Sequence, residues 1–212
     1  MRIVVSAGPT REFVDPVRFL SNRSSGKMGY AVAQAAVEAG HETVLVSGPV
    51  SIPAPRGLAA FVPVVSARDM LAALRKAVKG ADALVMAAAV ADFRPARACR
   101  RKIHKGEMPG AIALKPNPDI LAALSRGKGR RVFVGFAAET ERAEAGAAAK
   151  LRRKKLDLIV ANDVTLPGAG FEVDTNIATF VRPDGSTETL PLMSKAELAR
   201  KIVAQVEALA GV

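Results

Sequence analysis

Ile3-Val-Val-Ser-Ala-Gly-Pro-Thr10, then a polar interval, then Ser24-Ser-Gly-Lys-Met-Gly29 opening the run Met28–Ala39, decides how this chain folds. Arg2–Val5 is a short β-branched run and predicts a buried strand. Met28–Ala39 spaces its apolar residues like a helix and stops at Gly40, the residue type that closes helices. A strand, a loop and a helix in that order predict the first crossover unit of a mostly parallel sheet. The same alternation continues downstream. Thr43–Val46 predicts a second strand, closed by Gly48-Pro49. Ser66-Ala-Arg-Asp69 starts a helix in the capping-box manner, with Met70, Leu71, Leu74 and Val78 on its apolar face and Gly80 at its end. Ala83–Ala88 predicts a third strand.

Asn117-Pro118-Asp119 has the chemistry of another helix start. Asn caps, Pro fits the first turn, and Asp meets the positive end of the helix. Arg131–Gly135 and Leu156–Val160 predict strands on either side of a helix over Glu141–Lys154. Pro183-Asp184-Gly185 is a turn sequence, so Ile177–Val181 and Thr187–Leu190 predict a hairpin. A last helix starts at Ser194 with Glu197 completing its cap, and its spacing buries Leu198, Ile202, Val206 and Leu209. With no internal repeat and no low-complexity linker, the expectation is an α/β chain forming a single domain over residues 1–212, a mostly parallel sheet flanked by helices.

Composition narrows the function classes. The 212 residues are 50% hydrophobic, enough for one sizeable core, and no apolar run approaches the roughly 20 residues of a membrane span. The apolar stretch after Met1-Arg2 is too short for a signal-peptide core. Cys99 is the single cysteine, so it has no internal disulfide partner, and with His41 and His104 it makes no zinc set. A cytoplasmic location without membrane contact is the expectation. The net charge of +11 calls for an anionic partner or a solubilising surface. An aromatic content of 4% with no Trp leaves few stacking platforms, which argues against nucleic acid. Nucleoside triphosphates remain as the polyanionic alternative.

Two stretches are chemically conspicuous. The glycines and hydroxyls from Gly8 through Ser24, Ser25 and Gly26 precede a helix start and suit an anion, although they match neither G-x-G-x-x-G nor the P-loop. An ordinary capped helix after a long loop explains them as well. Phe93–Gly110 shows no usable apolar period and carries Arg94, Arg97, Arg100, Arg101, Lys102, His104 and Lys105. Such cations are solvated or paired with an anion, and a long irregular loop is often functional. Lys150 and Lys154 share a helix face, where favourable charge at a helix end is the plain alternative. Asp92 ends the third strand, at the edge where open α/β sheets place ligands, and could hold Mg²⁺, a hydroxyl or Arg94. Asn22 lies in the first loop, where Asn is most often a turn residue.

Taken in order, Ser6-Ala-Gly-Pro-Thr-Arg-Glu12, Asp15-Pro-Val-Arg18, Ser21-Asn-Arg-Ser-Ser-Gly-Lys-Met-Gly29, Ala87-Ala-Ala-Val-Ala-Asp-Phe93, Lys115-Pro-Asn-Pro-Asp-Ile120, Gly135-Phe-Ala-Ala-Glu-Thr140 and Leu156-Asp-Leu-Ile-Val-Ala-Asn-Asp163 resemble the bacterial phosphopantothenate–cysteine ligases. Each block alone is weak; their order and spacing carry the match. The resemblance implies a dimeric, Rossmann-like fold with a long basic flap and ligation of 4'-phosphopantothenate to L-cysteine, in coenzyme A biosynthesis. CTP activates the carboxylate as an acyl-cytidylate with release of pyrophosphate, and the cysteine amine then displaces CMP. Mg²⁺ is implied with CTP, and no flavin. By motif match, Asn22 acts in conversion of the acyl-cytidylate and Lys102 is the essential flap lysine. Ala87, Ala88, Ala89 and Asp92 match a nucleotide-binding segment, with Asp92 on CTP or its metal. Pro118, Asp119, Ile120, Leu121, Phe136, Lys150 and Lys154 match further CTP contacts. Arg18 matches an arginine reaching across the dimer, and Ser24, Ser25 and Gly26 belong to the substrate or phosphate loop.

The flap reads Lys102-Ile-His-Lys105 where the family commonly has Lys-x-Lys-Lys. Many bacterial members carry this domain behind a flavin-dependent decarboxylase, and no such domain lies in these 212 residues. A nicotinamide reductase on a similar fold would want a glycine fingerprint and an acidic residue after the second strand, where this chain has Val46-Ser-Gly48.

Overall fold

The computed structural model describes residues 1–107, 110–139, 149–163, 170 and 173–212. Strand β1 (Arg2–Ala7) is followed by a short hairpin, β2 (Arg11–Phe13) and β3 (Phe19–Ser21), and then by helix α1 (Lys27–Glu38). Next come β4 (Glu42–Ser47), β5 (Ala60–Pro63), α2 (Ala67–Ala77) and β6 (Ala83–Met86). A two-stranded ribbon, β7 (Phe93–Pro95) and β8 (Leu114–Pro116), leads to α3 (Ile120–Ser125), β9 (Val132–Glu139) and β10 (Leu158–Asp163). The chain finishes with β11 (Thr175–Asn176), β12 (Thr179–Val181), β13 (Thr187–Thr189), β14 (Met193–Ser194) and a C-terminal helix, Lys195–Ala210.

Eight strands form one sheet in the order β13-β12-β10-β9-β6-β1-β4-β5. The six from β10 to β5 are parallel, and β12 and β13 extend the edge antiparallel. Counted along the chain, the parallel strands lie in the order 3-2-1-4-5-6. The order reverses between β1 and β6, the crevice where doubly wound sheets bind ligands. The mostly parallel α/β fold expected from the sequence is the fold observed.

Alternation along β1 explains why its run is apolar on both faces. Ile3, Val5 and Ala7 pack with α1 and the C-terminal helix, while Val4 packs with α2 and α3. Helices cover both faces, so the strand needs no polar side. Ser66 with Asp69 and Ser194 with Glu197 form the expected capping boxes.

Several expectations are corrected. Asp119, not Asn117, caps α3: its Oδ1 accepts from the Ala122 N–H at 3.1 Å. Asn117 bridges instead, donating Nδ2 to the Ala91 carbonyl at 2.8 Å and accepting from Arg94 Nη1 at 2.8 Å. Leu209, expected to be buried, is 42% exposed in the last turn of the C-terminal helix. The third strand stops at Met86, after which the chain bends toward Gly8 through Ala89 N–H donating to its carbonyl at 3.0 Å. The basic segment is not irregular throughout. Its first residues pair as β7 with β8, which lies just beyond its other end, and Lys105–Glu107 form a 3₁₀ turn closed by an Arg101–Glu107 ion pair. Of the helix expected over Glu141–Lys154, residues 149–153 are helical and 141–148 lie outside the described residues, as do 108 and 109 of the basic segment.

Candidate functional site

The crevice between β1 and β6 is built by polar side chains that bind backbone. Ser6, fully buried at the end of β1, accepts the Ala88 N–H on its Oγ at 3.2 Å. Thr10, also fully buried, accepts the Ala91 N–H at 3.0 Å. Asn22 Nδ2 donates to the carbonyls of Ala89 and Val90, at 3.2 and 3.1 Å. Ser6 from β1 and Thr10 and Asn22 from the segment that follows it thus fix the shape of Ala87–Ala91. Both amide protons of Asn22 are engaged there, which leaves Oδ1 as the group it offers to a ligand.

Two cavities open at this edge. The first, about 440 Å³, is lined by Asn22, Ser24, Gly26, Ala87–Ala89, Asn162 and Lys195, among others. Gly26 caps α1 at φ +79°, and no side-chain hydrogen bond caps that end. The first turn of α1 borders this cavity through Lys27, Met28 and Gly29, and the positive end of a helix suits an anion. An added Cβ at Gly26 would lie 2.7 Å from Val50 Cγ1, so the loop needs glycine for space as well as conformation. Two ammonium groups add positive charge. Lys27 Nζ pairs with Asp174 at 2.6 Å, and this hydrogen bond holds the Asp174 carboxyl below its ordinary range. Lys195 is 6% exposed and donates to the carbonyls of Gly170, at 2.9 Å, and Val173. Burial, and then the charge of Lys27, push its pKa down, with Asp174 opposing.

The second cavity, about 220 Å³, shares Ala88, Val90 and Phe136 with the first. Its other walls include Asp92, Pro118, Asp119, Ile120, Leu121, Lys150 and Lys154. Lys154 Nζ meets Asp119 Oδ2 at 2.8 Å, and Lys150 Nζ donates to the Phe136 carbonyl at 3.1 Å. Burial works against ionising Asp119, but the Lys154 ammonium and the Ala122 N–H outweigh it and hold the carboxyl below its ordinary range. Asp92 is exposed at the rim and is not the partner of Arg94, which is taken by Asn117 and the Pro116 carbonyl.

The structure brings most of the expected residues to these two cavities. Ser25 lines a shallower neighbouring hollow with Asn22 and Ser24. Arg18 and Lys102 line neither cavity. Arg18 is engaged within its own chain, by Asp15 and the Ile103 carbonyl. Sequence reasoning missed Thr10, Asn162 and Lys195. Buried hydroxyls just after a first strand are a usable signal for Thr10, but nothing local marks Lys195, which reads as the first residue of an ordinary helix. Among the described residues no group of three or more His, Cys, Asp or Glu could hold a metal, and no helix is long and apolar enough to cross a membrane.

Comparison with known proteins shows the family of this fold. Residues 1–209 match the family model of the DNA/pantothenate metabolism flavoprotein C-terminal domain. The coenzyme A biosynthesis bifunctional protein CoaBC of Bacillus subtilis (strain 168) is 48% identical over 207 residues, covering 98% of this chain and 51% of that protein. The Escherichia coli (strain K12) protein of the same name is 43% identical over 210 residues, 97% of this chain and 51% of its own length. This chain thus spans about half the length of the curated relatives it matches. The crystal structure of the C-terminal domain of CoaBC superposes with a TM-score of 0.84 at 43% identity, covering 99% of this chain and 95% of that one. A Cab2 H337A mutant in complex with phosphopantothenate-cysteine shares the fold, with a TM-score of 0.80 at 17% identity over 99% of this chain and 87% of that one. The chain belongs to the family of the DNA/pantothenate metabolism flavoprotein C-terminal domain, the family of the CoaBC C-terminal domain.

Proposed function

We propose that this domain is a phosphopantothenate–cysteine ligase that uses CTP. The observation that carries the reading is the pair of cavities sharing Ala88, Val90 and Phe136 at the β1/β6 crevice. A two-step ligation needs two anionic reactants side by side, with cations to offset their repulsion. The first cavity, with the α1 N-terminus, Lys27 and Lys195, takes the phosphorylated acid. The second, with Lys150, Lys154 and the Pro118–Leu121 backbone, takes the nucleotide, with Ala87–Ala89 between them.

In the first step the phosphopantothenate carboxylate oxygen bonds to the α-phosphorus of CTP, and the bond to pyrophosphate breaks. In the second the cysteine amine bonds to the acyl carbon, the bond to CMP breaks, and the amine loses a proton. Asn22, anchored through Nδ2, presents Oδ1 beside the acyl group and can accept from the attacking amine. Lys102 on the flap closes over the polyphosphate and offsets charge on the departing pyrophosphate. Asp92, a single exposed carboxylate at the rim, is the residue that would hold Mg²⁺ together with the nucleotide. Asp119 is already committed to Lys154 and to the α3 cap. When bound, the ion would polarise the phosphate oxygens. No flavin has a part in this chemistry. The enzyme works as a cytoplasmic homodimer.

The test is product release with CTP, 4'-phosphopantothenate and cysteine, each omitted in turn. Pyrophosphate should appear without cysteine and vanish without phosphopantothenate. Pyrophosphate release that ignores the acid, or ATP matching CTP at limiting concentration, overturns the reading. A site that hydrogen-bonds cytosine leaves polar groups unpaired with the wrong base.

A further inference from the structure

Asp15 lies in the turn between β2 and β3, is 1% exposed, and divides its two carboxylate oxygens between different tasks. Oδ1 accepts the backbone N–H groups of Val17 and Arg18, both at 2.8 Å, which closes the turn. Oδ2 accepts from Arg18 Nη1 at 2.6 Å and from the Ile103 N–H at 3.1 Å, 88 positions along the chain. Arg18 Nη1 also donates to the Ile103 carbonyl at 3.1 Å. One ion pair therefore holds both backbone polar groups of Ile103. A parallel bond runs alongside, from the Cys99 N–H to the Val14 carbonyl at 2.8 Å. Burial opposes the charge on Asp15, but the N–H groups of Val17, Ile103 and Arg18, with the guanidinium, outweigh it and bring the pKa to about 2.

The turn itself needs only Oδ1, as in ordinary Asx turns. Oδ2 is directed at the flap, and the residue it holds directly follows Lys102. Asp15 and Arg18 line neither cavity of their own chain, and within that chain their contact toward the site is with the flap at Ile103. We propose that Asp15, acting with Arg18, is a positioning residue that latches the basic flap at Ile103 and so sets the reach of Lys102. This rests on the reading of the domain as a CTP-dependent ligase. A fixed point one residue from the lysine removes backbone freedom that each flap closure would otherwise have to quench.

Asp15→Asn is a selective probe. It keeps Oδ1 for the turn and replaces Oδ2 with an NH₂ group facing two donors. In the ligand-free protein, hydrogen exchange over residues 100–107 should speed up by about tenfold while β1 and α1 stay unchanged. The rate of pyrophosphate release at saturating substrates should fall by about tenfold, with the KM for phosphopantothenate unmoved. In a Lys102→Gln background the same substitution should add less than about twofold, since both act through one group. Arg18→Gln, which spares the turn, should loosen the flap in the same way if Asp15→Asn folds poorly. Unchanged flap exchange in both variants overturns the latch, whatever the activity. Losses that multiply with Lys102→Gln overturn action through Lys102. If the unaltered protein releases no pyrophosphate, the ligase reading fails, while the exchange measurement still decides the latch.

Discussion

At the scale of single residues, Asn22 shows how the structure sharpens a motif-based role. Its Nδ2 bonds to the Ala89 and Val90 carbonyls orient the side chain, so only Oδ1 is left for the reaction. Asn22→Asp sets a carboxylate against those two carbonyls and also offers a charge where a neutral acceptor stood. The first step, which does not use this group, should partly survive, while amide formation slows by about 10²-fold or more. An acyl-cytidylate should then accumulate and be trapped by mass spectrometry; an unaltered ligation rate would refute the role. The residue types at the crevice were legible from the ordered blocks, but their partners were not. Nothing local in the sequence tells that Ser6 and Thr10 turn inward to bind the Ala87–Ala91 backbone, because those bonds close between segments about 80 positions apart. Arg18 illustrates the same limit, since its bond to Ile103 joins two loops that the sequence reads separately.

Elements were read better where periodicity is strong and worse where pairing is short. Five of the six parallel strands and three of the helices fell close to their expected places because continuous apolar runs and capping boxes are local signals, while the edge strand β5 (Ala60–Pro63) was not foreseen. The hairpin β2–β3 and the ribbon β7–β8 were missed, since three-residue strands carry no period and their register is set by partners. Contact between α1 and β1 makes a specific prediction. An added Cβ at Gly29 would lie 2.6 Å from Ala7 Cβ and 3.0 Å from the Ser6 carbonyl oxygen. Gly29→Ala should push α1 off the sheet and cost about 1–3 kcal/mol, read as a lowered denaturant midpoint. Because α1 also opens toward the first cavity, affinity for phosphopantothenate should fall with it. The flap separates two kinds of cation. Lys102→Gln should slow acyl-cytidylate formation by about 10²-fold even at saturating CTP, while Lys105→Gln costs only about threefold. Equal losses that salt abolishes would make the segment a general basic patch.

For the whole molecule, the apolar surface and the charge point to different behaviour. Phe13 (39% exposed), Phe19 (40%), Phe93 (54%) and Leu114 (50%) lie on two neighbouring ribbons outside the main sheet. Apolar surface of that kind suits a partner, and we place the interface of the proposed homodimer on this face. Light scattering should give twice the monomer mass, and Phe19→Asp with Phe93→Asp should return it to the monomer value without unfolding.

Acid should be the condition under which the fold fails first. Among the described residues every carboxyl with a resolved shift, Asp15, Glu107, Asp119, Asp174, Asp184 and Glu197, is held below its ordinary range. A carboxyl depressed in the folded state releases its proton there more readily than in the unfolded chain. Its stabilisation is complete above the unfolded pKa of about 4 and is lost as pH falls through the folded value. For Asp15 that window runs down to about 2. As the carboxylates are neutralised, the 31 Lys and Arg charges lose their counterweight, and self-repulsion adds to the loss. The melting temperature should therefore hold steady between about pH 5 and 8 and drop steeply below about pH 4. Asp15→Asn should lower the plateau but flatten the acid limb, so that its curve meets that of the unaltered protein near pH 2. Two curves that stay parallel to the lowest pH would show that the Asp15 carboxylate is not held ionised by the Val17, Arg18 and Ile103 donors.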